Sequence, residues 1–266
     1  MKRFLMIAAV VLLALSMLSG CSKPQGEAPI TPEASAAPTE STATSSAETD
    51  SGVSATPPLE ENESNAVSDS VDTVYTQQIE RYYTAISNQW DESAYFEHEM
   101  SPMAVYYYEG NALDNVGFAC MDLDGDDIRE LIIGAIHNAE QDPLVFEIWT
   151  LKNGEPVMLA QSGSRNRYYM QYAEEDGVWS VAYEAENGAA NHAVYYLQLA
   201  EGEFEVIQGI VFDAVASETD PWIMAYDLDW DISNDMPIDG ETANAVMEAE
   251  RNIYTAIEYL PYSLYK

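Results

Sequence analysis

Positive charge is scarce in this 266-residue chain: ten lysines and arginines stand against 46 aspartates and glutamates, a net of −36. So few cations exclude nonspecific binding to nucleic acid, which needs clustered basic groups to displace the counterions of the phosphates. They also speak against adsorption to anionic lipid through charge alone. The surplus carboxylates point instead to cations, to basic partners or to solubility through self-repulsion. Cysteine is nearly absent, with two residues, and histidine is limited to three. His98, His137 and His192 are far apart and fall in no zinc spacing, and Glu97-His98-Glu99 is not the paired-histidine helix motif of metalloproteases. There is no G-x-S-x-G elbow, no P-loop and no dinucleotide glycine pattern, so no catalytic residue is assigned. Acid pairs for glycoside hydrolysis could be drawn from 46 carboxylates in too many ways to discriminate.

Long apolar runs are missing too, except at the N-terminus. Lys2 and Arg3 precede the uncharged stretch Phe4 to Leu18, whose 15 residues fall short of the roughly 20 that a spanning helix needs. The pattern is that of a signal peptide over residues 1–20. It runs into Leu18-Ser19-Gly20-Cys21, which resembles the lipobox of bacterial lipoproteins at all four positions. The resemblance implies that Cys21 becomes the mature N-terminus and carries the lipid. Two or more acyl chains, at about 0.8 kcal/mol per buried methylene, then give a stable membrane anchor on the extracytoplasmic face. Cleavage would leave eight basic residues against 46 acidic ones, a net of −38. With Cys21 acylated, Cys120 has no intramolecular disulfide partner, and its apolar run Val116 to Met121 suits a buried, inert thiol.

Residues 21–70 continue as a linker dominated by Ser, Thr, Ala, Pro and Glu, with Lys23 its only cation and no aromatic residue. Such a segment cannot bury enough apolar surface to offset its ordering entropy and is expected to be disordered. The 49 residues from Ser22 to Ser70 would span about 40 Å as flexible coil and about 165 Å when stretched. That suits a spacer that lifts a domain off a membrane.

Residues 71–266 are rich in aromatics and long enough for one domain with a real core. Tyr75, Ile79, Tyr82, Ile86 and Trp90 recur at helical spacing, with Asp72 or Thr73 placed to cap the start. A shorter helix is expected from Ser101-Pro102. The period then changes to two. Three hairpins are expected: Ile148–Leu151 with Val157–Leu159 around Asn153-Gly154, Tyr168–Tyr172 with Val178–Tyr183 around Asp176-Gly177, and Val194–Leu199 with Phe204–Val211 around Gly202. A final helix from about Glu241 carries Val246, Met247, Ile253, Ile257 and Leu260 and is halted by Pro261. The fold class is α+β, an antiparallel meander with helices before and after it. Tyr106-Tyr107-Tyr108 and Trp222 are the aromatics that could stack on a sugar, although aromatics on alternating strands more often form core or cross-strand pairs.

Chemistry concentrates in Asp122-Leu123-Asp124-Gly125-Asp126-Asp127-Ile128-Arg129-Glu130, between two apolar strands. Carboxylates stand at loop positions 1, 3, 5 and 9, and position 7 offers the carbonyl of Ile128. Hard oxygen donors at this spacing suit Ca²⁺, which takes six to eight oxygens at about 2.3–2.6 Å. An EF-hand would need glycine at position 6 and glutamate at position 12, where this chain has Asp127 and Ile133. The loop is similar to the strand-borne calcium loops of FG-GAP and VCBS-type repeats. With Glu130-Leu131-Ile132-Ile133-Gly134 it resembles the single aspartate-rich segment of uncharacterised surface lipoproteins of Gram-positive bacteria. The resemblance covers Asp122 to Gly134 and implies Asp122, Asp124, Asp126 and Glu130 as side-chain ligands of calcium. It departs from the pattern at Asp127, where a glycine is usual. A second acidic run, Asp227, Asp229, Asp231 and Asp235, has the same spacing but lacks the glycine and a following strand.

These features together predict a lipid-anchored, noncatalytic, calcium-stabilised surface module that binds an extracellular protein or glycan. The alternatives are the solute-binding lipoprotein of a transporter, which would show two lobes of alternating strands and helices, and a calcium-dependent glycan hydrolase.

Overall fold

The computed structural model describes residues 73–136, 143–174, 177–215, 217, 219, 221–229, 233 and 235–265. The signal stretch, Cys21, the linker, Asp72, His137, Asp176 and Asp231 lie outside these residues. Among the described residues no helix is long and apolar enough to cross a membrane.

A 3₁₀ turn, Thr73–Tyr75, leads into helix α1, Thr76–Ser87. The spacing of four and three puts Tyr75, Ile79, Tyr82 and Ile86 on one buried face. Of the two expected caps Asp72 lies outside the described residues; among the described residues no side chain caps the start, and the Thr76 hydroxyl donates to the Thr73 carbonyl at 2.8 Å. Trp90 also falls outside the helix, which stops at Ser87 before Gln89 takes a φ of 49°. Asp91 then caps the short helix α2, Glu92–Glu97, accepting from the Ala94 N–H at 3.0 Å. The segment opened by Ser101-Pro102 is a 3₁₀ helix, Pro102–Tyr107, rather than an α-helix. Helix α3, Ala112–Asn115, leads into the sheet.

The strands are β1 Val116–Met121, β2 Glu130–Ala135, β3 Leu144–Lys152, β4 Glu155–Gln161, β5 Asn166–Ala173, β6 Val178–Glu186, β7 Asn191–Ala200, β8 Glu203–Asp213, β9 Trp222–Ala225, β10 Met236–Pro237 and β11 Leu260–Pro261. They form one antiparallel sheet in the order β10-β9-β8-β7-β6-β5-β3-β2-β1-β11, with β4 paired to β3 off that path. The fold is therefore α+β with a β-meander, and all three expected hairpins are present. Asn153 and Gly154 have φ of 55° and 82°, and Glu201 and Gly202 have 52° and 73°. Positive φ at both central residues is the primed turn that matches strand twist.

Each face of the sheet has its own core, which explains why apolar residues run consecutively along the strands. Leu131 and Ile133 face the helices while Ile132 faces the opposite side, and the adjacent pairs Val181/Ala182, Tyr195/Tyr196 and Ile210/Val211 divide in the same way. Aromatics pair across strands: Tyr168 stacks on Tyr183 at 4.5 Å, and Tyr172 meets Trp179 at 4.8 Å.

The C-terminal helix is shorter than its pattern suggests. Helix α4, Gly240–Arg251, is capped by Asp239, which accepts from the Thr242 N–H at 2.7 Å, and it ends before Ile253. The remaining chain is extended along the sheet. The Tyr172 N–H donates to the Ile253 carbonyl and the Thr255 N–H to the Met170 carbonyl, while Leu260 and Pro261 pair with β1. Ile257 and Leu260 pack against opposite faces, an alternation that a helix could not provide. The backbone passes so near β1 that a Cβ on Gly117 would lie 2.7 Å from the Leu260 carbonyl. Glycine is required there. Cys120 is half-buried rather than buried, because it lies on the partly covered end of β1.

Candidate metal centre

The acidic loop joins β1 to β2, and the register sets Met121 opposite Glu130, so residues 122–129 form the bend between the two strands. Asp122 organises that bend. Its carboxylate accepts from the Gly125 N–H at 2.7 Å and the Asp127 N–H at 3.1 Å. These donors, Gly125 foremost, hold its carboxyl below the usual range. Gly125 and Asp127 have φ of 82° and 69°. Position 127, where the resembling loops carry glycine, does take the backbone region that glycine enters without strain.

Asp122, Asp124 and Glu130 each present a carboxylate oxygen, and the three lie within 4.8 Å of one another. At calcium–oxygen distances of about 2.3–2.6 Å, two oxygens on opposite sides of one ion are about 5 Å apart, so the triad fits a shared ion. Asp124 strengthens the fit: its Oδ1 is buried and has no hydrogen-bond partner. Burial, then the neighbouring Asp126 and Asp122, push the Asp124 carboxyl up. At such separations each like-charge pair costs on the order of 1–4 kcal/mol, depending on the effective dielectric.

Glu130 forms the floor. It is 1% exposed, its Oε2 accepts from the Leu123 N–H at 3.0 Å and its Oε1 from the Thr150 hydroxyl at 2.9 Å. Burial pushes its carboxyl up to about 7, against the pull of those two donors. Sequence reasoning missed Thr150, which lies on β3 and becomes a neighbour only through sheet register.

Asp126 is exposed and stands outside the triad, its Oδ1 accepting from the Ile128 N–H at 2.8 Å. That bond fixes the backbone at Ile128, the residue expected to offer a carbonyl. In the second acidic run Asp227 and Asp229 are exposed, and the Asp227 carboxylate accepts from the Asp229 N–H at 3.2 Å. Among the described residues, only Asp122, Asp124 and Glu130 converge as a metal-binding group.

The histidines and the tyrosine triplet have other surroundings. His98 stacks on Trp90 at 4.4 Å and His192 on Phe212 at 4.8 Å. Of the triplet only Tyr106 is exposed, with its hydroxyl donating to Glu92 at 3.1 Å, while Tyr107 packs on Phe146 and Tyr108 shares a hydrogen bond with Tyr95. Trp222 lies edge-on to Phe212 at 4.8 Å.

Compared with protein-family models, curated proteins and solved structures, the chain matches none of them.

Proposed function

We propose that this protein is a noncatalytic surface module stabilised by calcium at Asp122, Asp124 and Glu130, with Asp126 and the Ile128 carbonyl completing the shell. The observation that carries this is the convergence of one carboxylate oxygen each from Asp122, Asp124 and Glu130 within 4.8 Å, in a loop where the Asp124 Oδ1 is buried and unpartnered. A bare triad is costly in a folded protein, and a divalent cation relieves the cost. Calorimetric titration of the full chain with calcium tests it. One site is expected, lost in Asp124→Asn, and the absence of a binding heat up to millimolar calcium would refute the proposal.

The sequence supports an anchored location through Cys21. Cys21→Ser is expected to move the protein from the membrane fraction to the soluble fraction, and retention would count against lipidation. A continuous antiparallel sheet favours the module over a two-lobed transporter component. Among the described residues outside the loop, the buried Glu147 carboxylate is engaged by protein donors, Tyr82 and Ser101 on Oε1 and Trp149 on Oε2, which supports a structural role for that residue.

A further inference from the structure

We infer that ion occupancy of the loop fastens the start of α1, through Tyr75. This inference rests on the calcium site proposed above. Tyr75 is fully buried at the start of α1, and its hydroxyl donates to the Arg129 carbonyl at 2.9 Å, with the Trp149 carbonyl next nearest at 3.4 Å. Both acceptors adjoin the floor of the metal centre. Arg129 immediately precedes Glu130, and Trp149 immediately precedes Thr150, whose hydroxyl holds Glu130. The same two stretches of backbone therefore position the deepest carboxylate and receive the tyrosine.

Among the described residues no side chain caps the start of α1, and Thr73 and Val74 are exposed. Tyr75 is the first residue of the chain's described part to be buried, and Ile79, Tyr82 and Ile86 continue its face. A cation that neutralises Asp122, Asp124 and Glu130 holds the end of the loop against β2, and with it the Arg129 carbonyl. Without the cation, repulsion among the carboxylates spreads the loop and loosens the acceptor, so that the first turn of α1 frays. Because the coupling is thermodynamic it is reciprocal: what weakens the tyrosine contact weakens calcium to the same degree.

Hydrogen exchange on the full chain, with saturating calcium or with chelator, tests this alongside calorimetry. Exchange across residues 76–83 is expected to quicken at least tenfold in chelator, and Tyr75→Phe to exchange rapidly in both conditions while binding calcium about fivefold more weakly. If the unsubstituted protein binds calcium but exchange over 76–83 is the same with chelator, the coupling is refuted and the calcium site stands. That comparison needs no variant, so it decides the matter even if Tyr75→Phe fails to fold. Unchanged calcium affinity in a folded Tyr75→Phe also overturns the coupling. Absence of calcium binding to the unsubstituted protein removes both proposals.

Discussion

Chelating calcium is expected to lower the melting temperature by roughly 5–10 °C. At a calcium concentration about 100 times its dissociation constant, binding to the folded state alone adds about 2.7 kcal/mol. A domain of 150–250 residues moves by about 2–4 °C per kcal/mol. Asp124→Ala is the informative variant, because it removes the buried carboxylate oxygen that has no hydrogen-bond partner. The variant should melt at the same temperature with and without chelator. Glu130→Ala would be harder to interpret, since it also strands the Thr150 hydroxyl and the Leu123 N–H. Identical melting of the unsubstituted protein in calcium and in chelator would remove the stabilising role of the ion.

The largest loss from a single substitution is expected at Glu147, away from the loop. This residue on β3 is 1% exposed. Its Oε1 accepts from the Tyr82 hydroxyl at 2.8 Å and the Ser101 N–H at 2.9 Å, and its Oε2 from the Trp149 indole N–H at 2.9 Å. One carboxylate thus ties α1, the start of the 3₁₀ helix and the sheet together. Burial, and then the Glu147 carboxylate itself, push the Tyr82 hydroxyl well above its usual range, so it remains a donor across physiological pH. Glu147→Ala leaves the Tyr82 hydroxyl and the Trp149 indole N–H buried without this acceptor, and the Ser101 N–H with only the Tyr82 oxygen at 3.2 Å, and is expected to cost about 3–5 kcal/mol. Glu147→Gln keeps one acceptor oxygen but turns an amide N–H₂ towards the donors, so an intermediate loss is expected. Urea unfolding midpoints provide the measurement. A loss below about 1 kcal/mol in the alanine variant would show that these bonds are replaced by water or by repacking.

The contrast between Glu147 and Asp122 shows how far sequence reasoning reaches here. The loop was legible because its carboxylates are close in sequence and their spacing reflects a local turn. The hairpins were legible for the same reason, since Asn153-Gly154 and Gly202 meet a local requirement for positive φ. Glu147 was not legible, because apart from Trp149 its donors Tyr82, Ser101 and Gln161 lie 65, 46 and 14 residues away and only the fold gathers them. Helix α4 was overextended because spacings of three and four through Ile253, Ile257 and Leu260 also suit a strand that alternates between two apolar faces. Only the presence of a core on each side of the sheet distinguishes those cases, and that is a tertiary fact. Thr150 escaped notice likewise, and Tyr75, though placed on the first helix, was not linked to the loop, each reaching it through strand register or helix docking rather than sequence proximity.

The margins of the sheet bear on how such molecules behave when crowded. Both terminal strands of the sheet order, Met236–Pro237 and Leu260–Pro261, are two residues long and end in proline, and β4, bonded on one side to β3, carries Pro156. Each proline withholds an N–H that an incoming strand would need, and two-residue rims give such a strand almost no template. Among the described residues, neighbouring copies at high concentration therefore find no ready seam for fibrous stacking, and their shared negative charge keeps them further apart.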